Sequence, residues 1–173
     1  MLKINKNTTM LTVVLDLDET LIHSRQLKLD KHNHPIIDHY TYHYIIMYSK
    51  TDIYGVIRRP YLSWFLNELS TFAEICIFTA GTKEYAETII DLLDPFHIIK
   101  RFYRDSTILT NGIYTKPLNI IKPGMDNIVL IDNLIENMQC NPEHGIVVKG
   151  FYGDMSDNSL IKLLVELRSN NPQ

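Results

Sequence analysis

The strongest constraint on this sequence is residues 13–21, where an apolar run leads directly into two acidic residues. Such a run is typical of a strand that is buried on both faces of a parallel sheet. Asp16 and Asp18 follow it, and their carboxylates point to one side because strand side chains repeat with period two. Two carboxylates at a closed sheet edge are unfavourable unless a cation lies between them. The stretch therefore predicts a divalent cation, and Mg²⁺ fits best because it takes few carboxylates plus water and phosphate oxygens.

Two later apolar runs also end in polar side chains. Thr79 follows one of them, and Asp132 and Asn133 end the other. Ligands of open α/β sheets lie beyond the carboxyl ends of the strands, so we expect these side chains beside Asp16. Thr79 is also a candidate cap for a helix predicted over 83–93. The pattern indicates an α/β fold with a doubly wound, mostly parallel sheet and helices on both faces.

Residues 25–59 interrupt this alternation of strands and helices. Residues 39–44 alternate aromatic and polar side chains, and 53–57 read as a returning strand after a turn. Period two with aromatic and β-branched residues is typical of strands. His39 and His43 fit an exposed strand face better than a metal site, because no cysteine or acidic cluster accompanies them. We therefore predict a small antiparallel β insert lying over the site.

A helix is predicted over 61–72, directly after Pro60. Trp64, Phe65 and Leu69 recur at helical spacing within it. This spacing predicts one buried aromatic and aliphatic face that belongs to the core.

Composition bounds the function. A chain of 173 residues with net charge −3 and pI about 6.1 is expected to form one domain without a basic surface for nucleic acid. Cys76 and Cys140 do not make a disulfide framework, which favours a reducing compartment. Residues 1–9 lack an apolar signal core, and no run approaches the roughly 18 to 20 apolar residues of a membrane span. We expect a soluble intracellular protein of the nucleus or cytoplasm, with no membrane or nucleic-acid partner.

Residues 16–24, Asp-Leu-Asp-Glu-Thr-Leu-Ile-His-Ser, resemble a known signature. It is the DLDETLxHS form of the DxDxT motif of phosphatases that act on the RNA polymerase II carboxy-terminal domain. These enzymes belong to the haloacid dehalogenase superfamily, whose members transfer phosphoryl groups through an aspartyl-phosphate. The resemblance runs from about residue 12 to 167 and implies a haloacid dehalogenase-like fold in a single domain over 1–173.

The resemblance implies roles for the residues of this motif. Asp16 is expected to be the nucleophile. Asp18 is expected to be the general acid and base, and its backbone carbonyl binds the metal. The hydroxyl of Thr20 is expected to position Asp18, and that of Thr79 to bind phosphoryl oxygens.

Lys116 is expected from the resemblance to neutralise phosphate oxygens and to pair with Asp16. It lies in Tyr-Thr-Lys-Pro-Leu, which resembles the family's YxKDL, although Pro117 stands where relatives have an acid. The dipeptide Asn111-Gly112 predicts the turn of a hairpin that delivers this segment.

The predicted Mg²⁺ site combines Asp16 and Asp18 with Asn133 and Asp132. By the resemblance Asn133 is a metal ligand, and Asp132 orients either Lys116 or a water on the metal. The Ser-Pro that follows in relatives is replaced here by Leu134-Ile135.

Arg104 and Tyr85 are the predicted substrate-binding residues. No large capping domain fits between the motifs, so we expect a site open enough for a phosphoserine or phosphothreonine protein, such as the RNA polymerase II carboxy-terminal domain. Two alternatives are a non-catalytic phosphopeptide-binding relative and a small-molecule phosphatase of the same superfamily. The intact acidic and lysine motifs argue against the first, and the missing cap argues against the second.

Overall fold

The computed structural model describes residues 10–94 and 97–170. In chain order its strands are β1 (Leu11–Leu15), β2 (Ile22–Gln26), β3 (Tyr44–Met47), β4 (Ile53–Arg58), β5 (Ala73–Phe78), β6 (Lys100–Phe102), β7 (Ile108–Thr110), β8 (Ile113–Thr115), β9 (Ile128–Asp132) and β10 (Gly145–Val147). Its α-helices are α1 (Leu62–Ser70), α2 (Lys83–Leu93) and α3 (Ser159–Asn170). Short 3₁₀ helices cover Arg104–Ser106, Leu118–Ile120, Ile135–Met138 and Pro142–His144.

The central sheet has the order β10-β9-β1-β5-β6, and every neighbouring pair is parallel. The first strand in sequence lies at the centre, with later strands on both sides, so the chain direction across the sheet reverses at β1. That reversal is the switch point at which open α/β sheets hold their ligands. The predicted parallel sheet is confirmed.

Alternate residues of β1 pack into different hydrophobic clusters. Leu11, Val13 and Leu15 share one cluster with buried residues of all three α-helices. Val14 packs instead with residues such as Leu118 and Met138, each of which belongs to a 3₁₀ helix. Helical segments thus cover both faces of the sheet, and the face at Val14 is covered by 3₁₀ helices and loops. The strand is buried on both sides, as its apolar sequence predicts.

A separate antiparallel sheet has the order β2-β4-β3 and forms the predicted insert. The strand expected over 39–44 is largely wrong, because β3 begins only at Tyr44. The Asp38 carboxylate accepts hydrogen bonds from the Tyr40 N–H and the Tyr42 hydroxyl, which hold the preceding segment in a bend. The Tyr42 ring lies directly over Gly55, where a Cβ would sit only 2.4 Å from it.

The hairpin of β7 and β8 is confirmed, with Asn111 and Gly112 as its two-residue turn. Both have positive φ, 52° and 81°, as this kind of turn requires. The hairpin ends directly before Lys116.

Helix α1 is shorter than expected, and the predicted burial of Trp64 is wrong. Leu62, Phe65 and Leu69 form the buried stripe. Trp64 lies off that stripe and is 43% exposed. Neighbouring residues of an α-helix lie about 100° apart around its axis, so Trp64 points away from the stripe formed by Leu62, Phe65 and Leu69.

Across residues 10–94 and 97–170, none of the helices has the length and apolar character needed to cross a membrane.

Candidate active site

The carboxyl edge of the central sheet collects the predicted polar residues. Asp16 directly follows β1, Thr79 directly follows β5, and Asp132 is the last residue of β9. The parallel registers align these ends, and the Asp16 N–H donates to the Ile131 carbonyl at 2.9 Å. Side chains from three strands therefore meet at one edge.

Lys116 is completely buried at this edge. Its Nζ donates to Asp16 Oδ1 at 2.5 Å and to Asp132 Oδ2 at 2.6 Å. Its backbone N–H donates to the Asn137 carbonyl at 3.0 Å. The lysine therefore bridges the ends of β1 and β9, about 100 and 16 residues away in sequence.

Charge balance is the distinctive electrostatic property of this cluster. Burial raises the pKa of the Asp16 carboxyl. The positive charge of Lys116 opposes this rise in pKa, and the negative charge of Asp132 adds to it. Burial alone would lower the pKa of Lys116, but its two carboxylate neighbours reverse the effect and raise it, so the ammonium stays charged. When the Asp16 carboxyl is ionised, two carboxylates and one ammonium leave one excess negative charge away from bulk water. An excess of this sign suits a bound cation.

Asp132 is held by protein donors on both oxygens. Oδ1 accepts from the Leu134 N–H at 2.8 Å, and the Asn137 amide donates to both oxygens at 3.2 and 3.0 Å. With Lys116 on Oδ2, little of this carboxylate is left for a metal. These contacts favour the expected role of orienting Lys116, and they disfavour Asp132 as a direct ligand in the predicted Mg²⁺ site.

Asp18 lies in a separate hydrogen-bond network beside the lysine cluster. Tyr85 donates its hydroxyl hydrogen to Asp18 Oδ1 at 2.5 Å, and Ser24 lies 2.5 Å from the same tyrosine oxygen. Ser24 also donates to Asp18 Oδ1 at 3.4 Å. Burial raises the pKa of Asp18, and the hydrogen bonds from Tyr85 and Ser24 act against that rise. A carboxyl with a raised pKa is suited to proton transfer near neutral pH.

The hydroxyls of both threonines are hydrogen-bonded within the protein. Thr20 donates its hydroxyl to Asn133 Oδ1 at 3.2 Å, so the structure pairs it with Asn133 and not with Asp18. Thr79 is buried, and its hydroxyl oxygen accepts the Gly81 N–H at 2.9 Å. It does not cap α2, whose N-cap residue is Thr82.

An open cleft of about 410 Å³ leads to Asp18. Tyr85 and Arg104, the predicted substrate-binding residues, both line it, as do Tyr48 and Tyr54. Arg104 donates its Nε–H to the Ala80 carbonyl at 2.6 Å and lies 5.0 Å from the centre of the Tyr114 ring. An arginine beside several aromatic rings can bind an anionic, extended ligand.

The oxygen donors at this edge fit Mg²⁺. Asp16 Oδ2 accepts no hydrogen bond within the two described ranges, so it is available to a cation. Asn133 is half-buried, and among the described residues the Thr20 hydroxyl is the one hydrogen-bond donor to its side-chain oxygen. Among the described residues no group of three His, Cys, Asp or Glu side chains could hold a metal. Mg²⁺ is compatible with so few carboxylates because it keeps several waters and takes phosphate oxygens.

Sequence reasoning missed two residues that support the site. Asn137 lies in a 3₁₀ helix and carries no pattern that distinguishes it. Arg59 is fully buried and donates to Asp157 at 2.8 and 3.0 Å, to the Thr20 carbonyl at 2.9 Å and to the Lys149 carbonyl at 2.7 Å. The sequence offered one indication that Arg59 is buried. It directly follows β4, and a charged residue at the end of an apolar strand lies next to the core.

Comparisons with known proteins agree with this arrangement. The sequence profile described as NLI interacting factor-like phosphatase matches residues 11–171. Nuclear envelope morphology protein 1 of Saccharomyces cerevisiae is 33% identical over 166 residues, covering 88% of this chain and 37% of that protein. CTD nuclear envelope phosphatase 1B of Danio rerio is 32% identical over 158 residues, covering 88% of this chain and 63% of that protein. The chain thus spans less than two thirds of the length of these relatives.

The fold is similar to a solved one. The structure of Fcp1, an essential RNA polymerase II CTD phosphatase, matches with a TM-score of 0.61 at 23% identity, covering 94% of this chain and 51% of that one. At this identity the likeness concerns the fold. The expected haloacid dehalogenase-like architecture is confirmed.

Proposed function

Because the chain belongs to the NLI interacting factor-like phosphatase family, we propose that it is a Mg²⁺-dependent phosphatase of phosphoserine or phosphothreonine in proteins. The observation that carries the proposal is the buried Lys116 between Asp16 and Asp132 at the carboxyl edge of the parallel sheet. A buried ammonium with an adjacent carboxylate supplies both a nucleophile and a positive charge for a phosphoryl group. Residues 12–167 would form the catalytic domain.

In the first half-reaction, Asp16 attacks phosphorus in line with the serine or threonine oxygen. A bond forms between the Asp16 carboxylate and phosphorus, and the bond from phosphorus to the leaving oxygen breaks. Lys116 reduces the repulsion between the carboxylate and the phosphomonoester dianion. Asp18, protonated, gives its proton to the leaving alkoxide. The products are an aspartyl-phosphate on Asp16 and a free hydroxyl side chain.

In the second half-reaction, water hydrolyses the aspartyl-phosphate. Asp18, now a carboxylate, takes a proton from the water as it attacks phosphorus. The bond to Asp16 breaks, so that inorganic phosphate leaves and both carboxyl groups return to their starting states. Mg²⁺, held by Asp16, the Asp18 carbonyl and Asn133, would supply the further positive charge that a dianionic phosphoryl group requires.

The cleft beside Asp18 supports a peptide substrate. It is open, and its Arg104 and tyrosines suit an extended chain with anionic groups. One relative carries the carboxy-terminal domain of RNA polymerase II in its name, several others carry the abbreviation CTD, and three carry the nuclear envelope. We infer that the substrate is a phosphoserine of that domain or of a similar phosphoprotein, in the nucleus or cytoplasm.

Phosphate release from a panel of phosphoserine peptides, set beside sugar phosphates, tests this function. We expect turnover of the peptides that requires Mg²⁺ and stops in EDTA. Faster turnover of sugar phosphates would indicate the small-molecule alternative. Binding of phosphopeptides without any turnover in Mg²⁺ would indicate a non-catalytic module.

The Asp18→Asn variant tests the assignment of the acid. General acid and base catalysis is typically worth about 10²- to 10⁴-fold, so peptide turnover should fall by that amount. Aryl phosphates need little protonation of the leaving group, so their single-turnover phosphorylation should fall less. Equal losses for both substrates would mean that Asp18 chiefly binds the metal.

A further inference from the structure

The arginines of this chain divide into two groups by their partners. The sequence holds six, and all lie in the described ranges. Four form ion pairs with carboxylates: Arg25 with Asp38, Arg59 with Asp157, Arg101 with Asp91 and Asp94, and Arg168 with Glu68. Arg58 and Arg104 have no carboxylate partner within 10–94 and 97–170. Arg104 lines the cleft beside Asp18, where the substrate phosphoprotein would bind.

Arg58 lines a second pocket, of about 300 Å³, where β4 ends and α1 begins. His43, Tyr61, Ser63 and Trp64 also line it, and it shares no lining residue with the cleft at Asp18. The two arginines without carboxylate partners thus belong to two different pockets.

The guanidinium of Arg58 is only partly satisfied by the protein. Nη1 lies 3.5 Å from the Tyr44 hydroxyl, and Nη2 donates to Ser63 Oγ. Nε is buried and has no hydrogen-bond partner among the described residues. Nε is too deeply buried to reach a ligand, but Nη1 and Nη2 each carry two N–H groups and each makes one of these hydrogen bonds, so the guanidinium keeps further donors for a ligand in the pocket.

The rest of the lining adds donors and no negative charge. Among the described residues no Asp or Glu lines the pocket, and the charge of the adjacent Arg59 is already matched by Asp157. His43 Nδ1 accepts the Arg58 N–H at 3.2 Å, so the neutral ring carries its proton on Nε2, a further donor. Helix α1 begins here with no acidic residue in its first turn and no side-chain cap. Arg58 supplies the full charge, and the helix start adds a partial positive one.

This chemistry selects an oxyanion. A guanidinium fork with a neighbouring hydroxyl matches the oxygens of a phosphoryl group. Tyr61 and Trp64, whose ring centres are 6.5 Å apart, stand exposed at the rim and offer apolar contact to the residues flanking that group. A lipid headgroup surface is disfavoured, because membrane recognition of this kind uses clusters of about four to eight Lys or Arg.

We propose that the Arg58 pocket is a second anion site, which binds a phosphorylated side chain of a protein segment separately from the cleft at Asp18. The site is independent of turnover. It would therefore bind a phosphorylated segment even if the catalytic proposal above were wrong.

Trp64 is the only tryptophan in the sequence and lines this pocket, so its fluorescence reports the site directly. Three probes are titrated into the protein: inorganic phosphate, vesicles containing phosphatidic acid, and a peptide that carries the non-hydrolysable phosphonate analogue of phosphoserine. The unphosphorylated peptide is the reference. We expect saturable changes with phosphate and with the phosphonate peptide, and tighter binding of the peptide.

Matched variants of Arg58 and Arg104 show which of the two pockets gives rise to the change in Trp64 fluorescence. Arg58→Gln should weaken both Kd values by about tenfold or more, since the charge and the fork are lost together. Arg104→Gln removes the corresponding arginine of the other cleft and should leave the Trp64 response unchanged. Arg58→Lys keeps the charge but loses the planar fork, so we expect a Kd about fivefold weaker than that of the wild type. If Arg58→Gln lowers the Tm, a weaker Kd no longer separates lost binding from lost folding, and the Kd of Arg58→Lys then tests whether Arg58 binds the anion.

Four results would overturn the proposal. They are no saturable change with phosphate or the phosphonate peptide, an equal change with the unphosphorylated peptide, unaltered Kd values in the Arg58 variants, and a response confined to phosphatidic acid vesicles. The last would assign the pocket to a lipid headgroup.

Discussion

Arg59 and Lys116 are both fully buried cations. They differ in the net charge of the cluster that each forms with its carboxylate partners. Arg59 pairs with one carboxylate, that of Asp157, and also donates hydrogen bonds to the backbone carbonyls of Thr20 and Lys149. Lys116 faces two carboxylates, Asp16 and Asp132. The arginine cluster is therefore neutral, whereas the lysine cluster carries one excess negative charge when the Asp16 carboxyl is ionised.

The difference separates a structural pair from a reactive site. A neutral buried pair in which every guanidinium nitrogen is hydrogen-bonded holds segments together, here the loop at Thr20 and the chain before α3. A buried cluster with excess charge is unstable by itself and gains from a cation or from a ligand such as a phosphoryl group. Burial alone would have placed both clusters in the same class.

The first prediction removes the excess charge with Asp16→Asn. An amide does not attack phosphorus, so kcat should fall by about a thousandfold or more, a loss near 4 kcal/mol. The lysine cluster then becomes neutral like that of Arg59, so the free energy of unfolding in EDTA should stay within about 1 kcal/mol of wild type. Steady-state kinetics and urea unfolding measure the two effects. A variant that retains a larger share of kcat contradicts the covalent mechanism, and a large loss of stability would make Asp16 a structural partner.

The second prediction removes the cation with Lys116→Met. Two buried carboxylates then lose their counter-charge, and the phosphoryl group loses an electrostatic stabiliser worth about 10²- to 10³-fold in kcat. We expect that loss in single-turnover assays of the folded protein. A kcat within tenfold of the wild type would show that Lys116 is structural, as Arg59 is.

The third prediction applies the same change to the other cluster. Arg59→Met leaves Asp157 buried without its partner, which should cost about 3 to 5 kcal/mol of stability. The kcat of the folded fraction should change less than about tenfold, because the hydrogen bond from Arg59 to the Thr20 loop goes to a backbone carbonyl and not to a reacting side chain.

The double variant Arg59→Met/Asp157→Leu is its control. Replacing both members of a buried ion pair with apolar residues is often close to neutral, so much of the lost stability should return. If the double variant is no more stable than the single one, the hydrogen bonds to Thr20 and Lys149 matter more than the ion pair.

The smallest effect is expected for Tyr85→Phe, which tests whether Asp18 belongs with the reactive cluster. The change removes the hydroxyl that donates to Asp18 at 2.5 Å and leaves the ring in the cleft. Loss of one hydrogen bond to a carboxylate should lower kcat/KM for phosphoserine peptides about tenfold, roughly 1.4 kcal/mol. Aryl phosphates should lose less, since their leaving group depends less on Asp18. An equal loss for both substrate classes would place Tyr85 in binding alone.

Local patterns in the sequence predicted the elements that carry the site. The apolar run before Asp16 predicted β1, the bounds of α2 were predicted at Lys83 and Leu93, and Asn111-Gly112 predicted the hairpin turn. These features depend on hydrophobic period and turn chemistry within a few residues, which a single sequence displays, whereas the predicted cap at Thr79 was wrong. Lys116 was identified only because its motif resembles a known one.

The sequence by itself determined which side chains stand at the carboxyl edge of the parallel sheet, because every strand of such a sheet ends on the same side. Only the tertiary structure decided which of them meet. Lys116 and Asp16 are 100 residues apart, and Arg59 and Asp157 are 98 apart, so no local period links either pair. The charge balance that separates the two clusters is a property of those distant pairings, and it exists only once the chain has folded.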